Sequence, residues 1–318
     1  MSLLEVKNLR QHFKLSKGFF KNEQVVKAVD GVSFTIKKGE TLGIVGESGC
    51  GKSSLGRSLL RLIEPTDGSI LFEGKDITHL NRREMMPLRK DLQIVFQDPF
   101  ASLNPRSKIK NILEAPLIIH KIGNRDKRMA IIESLIEKIG LRKKQLDLYP
   151  HEFSGGQRQR IGIARALTLN PKLIVADEPV SALDVSVQSQ VLNLLVELQG
   201  EFDLSYVFIS HDLSVVQHIS DRVAVMYLGK IVELADVDTL YQNPQHPYSK
   251  ALLSALPIAD PEVKRDRIIL EGDLPSPIHP PAGCPFHTRC PIATDRCREE
   301  VPLLEEKVPG HFTSCHFV

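Results

Sequence analysis

The sequence predicts an α/β fold in which a parallel sheet carries a glycine-rich loop. A β-rich run at 41–45 leads into Gly46-Glu47-Ser48-Gly49-Cys50-Gly51-Lys52-Ser53, and helical spacing follows over 53–63. This is the strand–loop–helix context of a P-loop. Two apolar β runs, 173–176 and 206–209, flank a helical stretch around 187–199. Such a βαβ pattern implies parallel strands. Beyond about residue 243 prolines recur and four of the five cysteines collect, which predicts a small loop-rich appendage.

Taken in order, 3–6 and 31–36 read as strands of an N-terminal sheet, and Lys37-Lys38-Gly39-Glu40 makes a turn. Residues 68–72 and 92–96 are further strands. Pro99, Pro105 and Pro116 then mark a change of character, followed by a helical run over 126–139, so a helical insert is predicted over about 99–160. The runs 223–227 and 230–234 read as a hairpin turning at Gly229. The predicted organisation is a main domain over 1–242 and an extension over 243–318.

Composition narrows the function. Apolar residues make up 42% of 318, enough for a core and too many for a disordered chain. Basic and acidic residues nearly cancel, 41 against 39, so charge gives no case for nucleic acid as a partner. No apolar run reaches the roughly 18 residues of a membrane-spanning helix. The start, Met-Ser-Leu-Leu-Glu-Val-Lys, alternates like a strand and does not read as a signal peptide. The cytoplasm is the expected address.

The loop carries the chemistry. Gly46, Gly49 and Gly51 let backbone N–H groups approach phosphate oxygens, and the helix that follows presents its positive end. Lys52 supplies a point charge for the β- and γ-phosphates, and Ser53 a hydroxyl for Mg²⁺. The candidate nucleotide loop is Gly46, Glu47, Ser48, Gly49, Cys50, Gly51, Lys52, Ser53 and Ser54. The plain alternative is a glycine turn before an ordinary helix. Asp177 and Glu178 end an apolar run, where ligands bind in open α/β sheets. There Asp177 would hold Mg²⁺ through water and Glu178 would polarise the attacking water. An exposed acidic turn after a strand is the bland alternative.

Phe153-Ser154-Gly155-Gly156-Gln157, followed by Arg158-Gln159-Arg160 and Ala164-Arg165-Ala166-Leu167, resembles the signature and signature helix of the ABC-type ATPases. Phe153 stands where leucine is usual, and both are apolar. That resemblance implies an ATP sandwich, with Ser154, Gly155, Gly156 and Gln157 acting on the P-loop of an opposing subunit. It implies further that Gln97 is the Q-loop glutamine sensing Mg²⁺ and the membrane partner. Asp184 in Ser181-Ala182-Leu183-Asp184 resembles the D-loop, and His211 in Ile209-Ser210-His211-Asp212 the switch histidine at the γ-phosphate. Phe13 is the candidate aromatic for stacking on adenine, with Phe19 and Phe20 nearby in an apparent insertion.

Three longer motifs go further: Gln97-Asp98-Pro99-Phe100-Ala101-Ser102-Leu103-Asn104-Pro105-Arg106, Tyr149-Pro150-His151-Glu152-Phe153-Ser154, and His246-Pro247-Tyr248-Ser249-Lys250-Ala251-Leu252. They resemble the ATP-binding subunits of bacterial dipeptide and oligopeptide permeases. Gly18-Phe19-Phe20 and Cys50 are similar to the second of the two ATPase subunits in such systems. The resemblance implies a heterodimer with a paralogous ATPase, two transmembrane permease subunits, an extracytoplasmic solute-binding protein, and a peripheral place on the cytoplasmic face of the inner membrane. Related systems carry nickel or other small solutes. Soluble ABC ATPases of translation carry two tandem halves, and those of DNA repair split the motifs with a long coiled coil. Here there is one set of motifs, with room for only a small insert between Ser53 and Ser154.

Cys284, Cys290, Cys297 and Cys315 suit either an iron–sulfur cluster or tetrahedral zinc, and His287, His311 and His316 keep zinc open. Four reduced, unliganded thiols are the plain alternative. The resemblance to the peptide-permease C-terminal region implies a [4Fe–4S] cluster with a structural role.

Overall fold

The computed structural model describes residues 2–15, 24–256 and 267–318. The apparent insertion at Gly18, Phe19 and Phe20 and the prolines at 257 and 261 lie outside the described residues. The chain forms two compact units. One comprises residues 1–37, 41–79 and 210–318, and the other 38–40 and 80–209.

Strands β1 (Ser2–Leu15) and β2 (Gln24–Lys37) open the first unit as a long antiparallel pair. β3 (Thr41–Val45) is buried at all five positions, the polar Thr41 included, as suits a central parallel strand. It leads into α1 (Lys52–Leu59), which buries Leu55 and Leu59. β4 (Asp67–Phe72) and β5 (Lys75–Asp76) complete a sheet ordered β2-β1-β4-β5. β1 and β2 run well beyond the stretches their sequences predict. Their pairing is interrupted by register shifts, at Val6/Leu9 and Gln11/His12 among others. Each shift moves the buried set to the other face and so erases the period-two signal.

The second unit holds α2 (Arg82–Leu88), β6 (Leu92–Val95), α3 (Pro99–Ser102), α4 (Ile109–Ile119), α5 (Arg125–Lys138), α6 (Gly155–Leu167), β7 (Leu173–Asp177), α7 (Val185–Phe202) and β8 (Ser205–Ile209). β6, β7 and β8 are parallel, with Ile94 opposite Val175 and Val175 opposite Val207. β7 and β8 are buried throughout. The βαβ reading of 173–209 is therefore met by β7, α7 and β8.

Back in the first unit, α8 (Leu213–Ile219) precedes the hairpin of β9 (Arg222–Tyr227) and β10 (Lys230–Asp236). Gly229 sits in its turn at φ 78°. β9 also lies parallel to β3, with Ile44 opposite Ala224. α9 (Val237–Gln242) and α10 (Pro247–Ser254) follow, then α11 (Asp295–Glu299), β11 (Glu305–Val308) and β12 (His311–Thr313). The described part of the extension holds more regular structure than its prolines suggest. Pro247 is a helix starter, because the first turn needs no N–H from it. β12 adds to β10, pairing Thr313 with Glu233. Buried Glu233 ties this region together: its carboxylate accepts from His311 Nε2 at 2.7 Å, the Gln245 N–H at 2.6 Å and the His246 N–H at 3.0 Å.

Candidate nucleotide site

The P-loop joins buried β3 to α1 in the first unit. Its geometry depends on missing side chains. A Cβ at Gly46 (φ 150°) would stand 2.1 Å from the Met226 carbonyl oxygen, and one at Gly51 (φ 105°) 1.8 Å from that of Ala28. The hairpin also reaches the loop through the Gly229 N–H, which donates to the Cys50 carbonyl at 2.9 Å. Ser48 and Gly49 are exposed at the tip. Lys52 is buried and its ammonium donates to the carbonyls of Gly46 at 2.6 Å and Glu47 at 3.0 Å. Ser53 and Ser54 lie half-buried in the first turn of α1. Burial pushes the Cys50 thiol up, which leaves it a small apolar filler at neutral pH.

Two contacts fix the shoulder of this loop. The Glu47 N–H donates to the Tyr248 hydroxyl at 2.9 Å, and the Glu47 carboxylate meets Arg289, whose Nη1 lies 3.0 Å from each of its oxygens. Tyr248 stands in a motif already noted for its resemblance, without a role, and Arg289 precedes Cys290. Neither has a local sequence signal, since their partner lies about two hundred residues upstream. Phe13 is half-buried on β1 opposite Val26. His211 is exposed, one residue before Asp212, whose carboxylate caps α8 by accepting from Ser214 N at 2.9 Å.

In the second unit Asp177 ends β7 and is 3% exposed. Glu178 follows in the left-handed region at φ 48°, a conformation that costs a non-glycine residue about 1 kcal/mol. Its N–H donates to the Ile209 carbonyl at 3.0 Å. Gln97, exposed after β6, donates from Nε2 to the Glu178 carboxylate at 2.8 Å. These two residues, 81 apart in sequence, are brought together. The Ser181 hydroxyl bonds the Glu178 carbonyl at 3.1 Å, and Gln188 holds the Val180 and Leu183 carbonyls at 3.1 and 2.9 Å. Asp184, exposed at the N-cap of α7, makes no side-chain capping bond.

Ser154 caps α6 in a capping box. Its hydroxyl accepts from the Gln157 N–H, and the Gln157 side chain accepts from the Ser154 N–H at 3.0 Å. Ser154 is exposed, Gly155 and Gln157 are half-buried, and Gly156 is buried with Val187 Cγ1 2.3 Å from where a Cβ would stand. Phe153 is buried at the leucine position of the signature. Arg158 braces the helix start. It donates from Nε to the Pro150 carbonyl at 2.7 Å and lies over the Phe100 ring at 3.6 Å. Arg165 bonds the Ser102 carbonyl.

Cys284 and Cys297 are buried, and Cys290 and Cys315 half-buried. The Cys284 N–H donates to the Cys297 carbonyl at 2.8 Å. Burial pushes the Cys284 thiol up to about 11, with Cys297, Cys290 and Cys315 adding to the shift. The Cys290 thiol is raised by burial first, then by Cys315 and Cys297. Among the described residues no group of three or more His, Cys, Asp or Glu side chains is gathered closely enough to hold a metal ion. His311 is engaged by Glu233, and His287 Nδ1 lies 2.8 Å from the Cys284 carbonyl.

Residues 29–181 match the ABC transporter family, and 232–297 match the C-terminal region of oligopeptide/dipeptide transporters. The fold resembles the ATP-binding cassette MJ0796, solved as a dimer in a post-hydrolysis state with ADP and Pi. That likeness has a TM-score of 0.66 and 28% identity over 74% of this chain and 98% of the other. The chain is 57% identical, over 99% of its length and 97% of the relative, to the oligopeptide transport ATP-binding protein AppF of Bacillus subtilis (strain 168). It is 54% identical, over 99% of its length and 97% of the relative, to the dipeptide transport ATP-binding protein DppF of Haemophilus influenzae. Fold and motifs together define an ATP-binding cassette ATPase. More narrowly, the chain belongs to the family of ATP-binding subunits of oligopeptide/dipeptide ABC transporters, and its reaction is ATP hydrolysis coupled to transport. Such a subunit works with membrane permease partners and a substrate-binding protein. Among the described residues no helix is long and apolar enough to cross a membrane.

Proposed function

We propose that the chain drives import of dipeptides or oligopeptides, seated on the cytoplasmic face of the inner membrane beneath two permease subunits and paired with a paralogous ATPase. The hydrolytic reading is carried by the 2.8 Å contact of Gln97 with Glu178. A carboxylate held by a neutral amide stays directed and is suited to take a proton from water. Lys52 neutralises the β- and γ-phosphates, and His211 contacts the γ-phosphate. The Ser53 hydroxyl and the Asp177 carboxylate would hold Mg²⁺, with Gln97 beside it. The oxygen donors suit that ion, which supplies charge neutralisation on the phosphates. Ser154, Gly155, Gly156 and Gln157 offer the positive end of α6 to nucleotide on the opposing subunit, and Asp184 lines that junction. Phe13 stacks on adenine. The peptide reading is supported by likeness that runs through the extension, 243–318, as well as the ATPase motifs.

Cys284, Cys290, Cys297 and Cys315 form the proposed ligand set of a structural [4Fe–4S] cluster, with zinc as the alternative. Burial first and the neighbouring cysteines second raise the Cys284 and Cys290 thiols, which supports it, because a bound cation would offset both. Iron and zinc analysis of anaerobically purified protein separates the two. Cys290→Ser should remove any cluster absorbance and leave the nucleotide motifs intact.

The functional test is ATP hydrolysis by the complex assembled with its permease partners, with and without peptide and binding protein. Peptide-stimulated hydrolysis is expected. Glu178→Gln should lower it by at least about a hundredfold while ATP stays bound. Normal turnover in that variant removes Glu178 as the base. Hydrolysis indifferent to peptide redirects the search to nickel or another small solute.

A further inference from the structure

We propose that the cysteine-bearing extension positions the P-loop for nucleotide, with Arg289 and Tyr248 as the positioning residues and Glu47 as the residue they hold. The inference rests on the reading of residues 46–54 as the nucleotide loop, and it does not depend on what the cysteines hold. Two bonds of different kind converge on Glu47. Tyr248 takes the backbone N–H at 2.9 Å, and Arg289 takes the carboxylate, with Nη1 at 3.0 Å from both oxygens. The first fixes where the loop leaves β3. The second cancels a negative charge on a loop whose other groups are arranged for a polyanion.

The support behind these two side chains is rigid. Tyr227, Tyr248 and Phe286 are each at most 1% exposed. Tyr227 packs edge to face on Tyr248 and Phe286, with ring centroids 4.7 and 5.2 Å apart, and Tyr248 lies tilted against Phe286 at 5.4 Å. Phe286 lies between Cys284 and Arg289 in the chain, so the fold of the cysteine segment sets where the guanidinium stands. Tyr227 follows Met226, whose carbonyl faces Gly46. The Arg289 side chain is 9% exposed and that of Glu47 28%, so water screens the pair only in part. Removing Arg289 therefore leaves a carboxylate without its counter-charge on the phosphate-binding loop, where it opposes the incoming triphosphate.

The test is equilibrium ATP binding and thermal unfolding of the full-length chain. Wild-type binding that disappears in Lys52→Ala is established first, so that failure of the nucleotide-loop reading is seen separately. Arg289→Gln should weaken ATP binding about tenfold, because a like charge is now uncancelled at the site. Adding Glu47→Gln to that variant should restore most of the affinity, since the repelling charge is gone. Tyr248→Phe should weaken binding through lost loop geometry, and Glu47→Gln should not rescue it. Arg296→Gln, which breaks an exposed pair with Glu300 in the same extension, should leave affinity unchanged. Wild-type affinity in both Arg289→Gln and Tyr248→Phe overturns the proposal. So does a double variant as weak as Arg289→Gln with a matching fall in melting temperature, because the pair would then serve folding alone.

Discussion

Gly46 shows how one absent side chain places a reaction. Its φ of 150° lies in the region that favours glycine, and the Met226 carbonyl occupies the space a methyl would need. Gly46→Ala must therefore move the loop, the hairpin or both. The expected outcome is loss of measurable ATP binding with a stability cost of roughly 1–3 kcal/mol, read by nucleotide titration and urea unfolding. The glycines, Lys52 and Ser53 were legible in the sequence because their chemistry depends on fixed local spacing. Glu178 was legible as a carboxylate at a strand end, but its partnership with Gln97 was not, because only the parallel pairing of β6 and β7 brings those strand ends together. Tyr248 and Arg289 escaped for the same reason, since each acts on Glu47 from the far end of the chain.

Among elements, α6 carries its function at its first turn. The capping box satisfies donors at the helix start and is worth about 1 kcal/mol. The seat of that turn is the contact of Gly156 with Val187 on α7. Gly156→Ala would bring Cβ to 2.3 Å from Val187 Cγ1, so helix and neighbour must separate. The expected result is hydrolysis reduced by at least about tenfold with ATP affinity nearly unchanged, because in the proposed pairing of ATPases the signature acts on the opposing subunit's nucleotide. Steady-state hydrolysis beside equilibrium binding checks it. The strands of the second unit and its helices α5 and α7 followed their sequence patterns closely, whereas α2 had no reading in the sequence. The extension did not, because prolines that read as loop markers include Pro247, which starts a helix.

For the whole molecule, acid is the weak point. His246 is buried, its Nδ1 accepts the Tyr248 N–H at 3.1 Å, and burial holds its pKa at about 3, with Lys250 adding to the depression. Glu233 accepts the His246 N–H and also holds His311. An unfolded chain protonates this histidine near its ordinary value of 6.5. The folded chain therefore has its full stability above that pH. It loses about 1.4 kcal/mol per pH unit as pH falls toward 3. Melting temperatures at pH 7.5 and 5.5 should show the drop, and His246→Asn, which keeps a capping acceptor, should flatten it.

The division of the chain into units carries a consequence for biosynthesis. Residues 80–209 form nearly all of one unit and are contiguous, so that unit has its strands in hand while the polypeptide is still emerging from the ribosome. The other unit begins with β1 and is closed by β12, which pairs with β10 and brings His311 to Glu233. In that unit β3 must wait for its partner β9 and β10 for β12, so the unit is not complete until translation has passed residue 313. A nascent chain of this protein is thus a finished insert flanked by an unfinished host, and that interval is when chaperones have the most to protect.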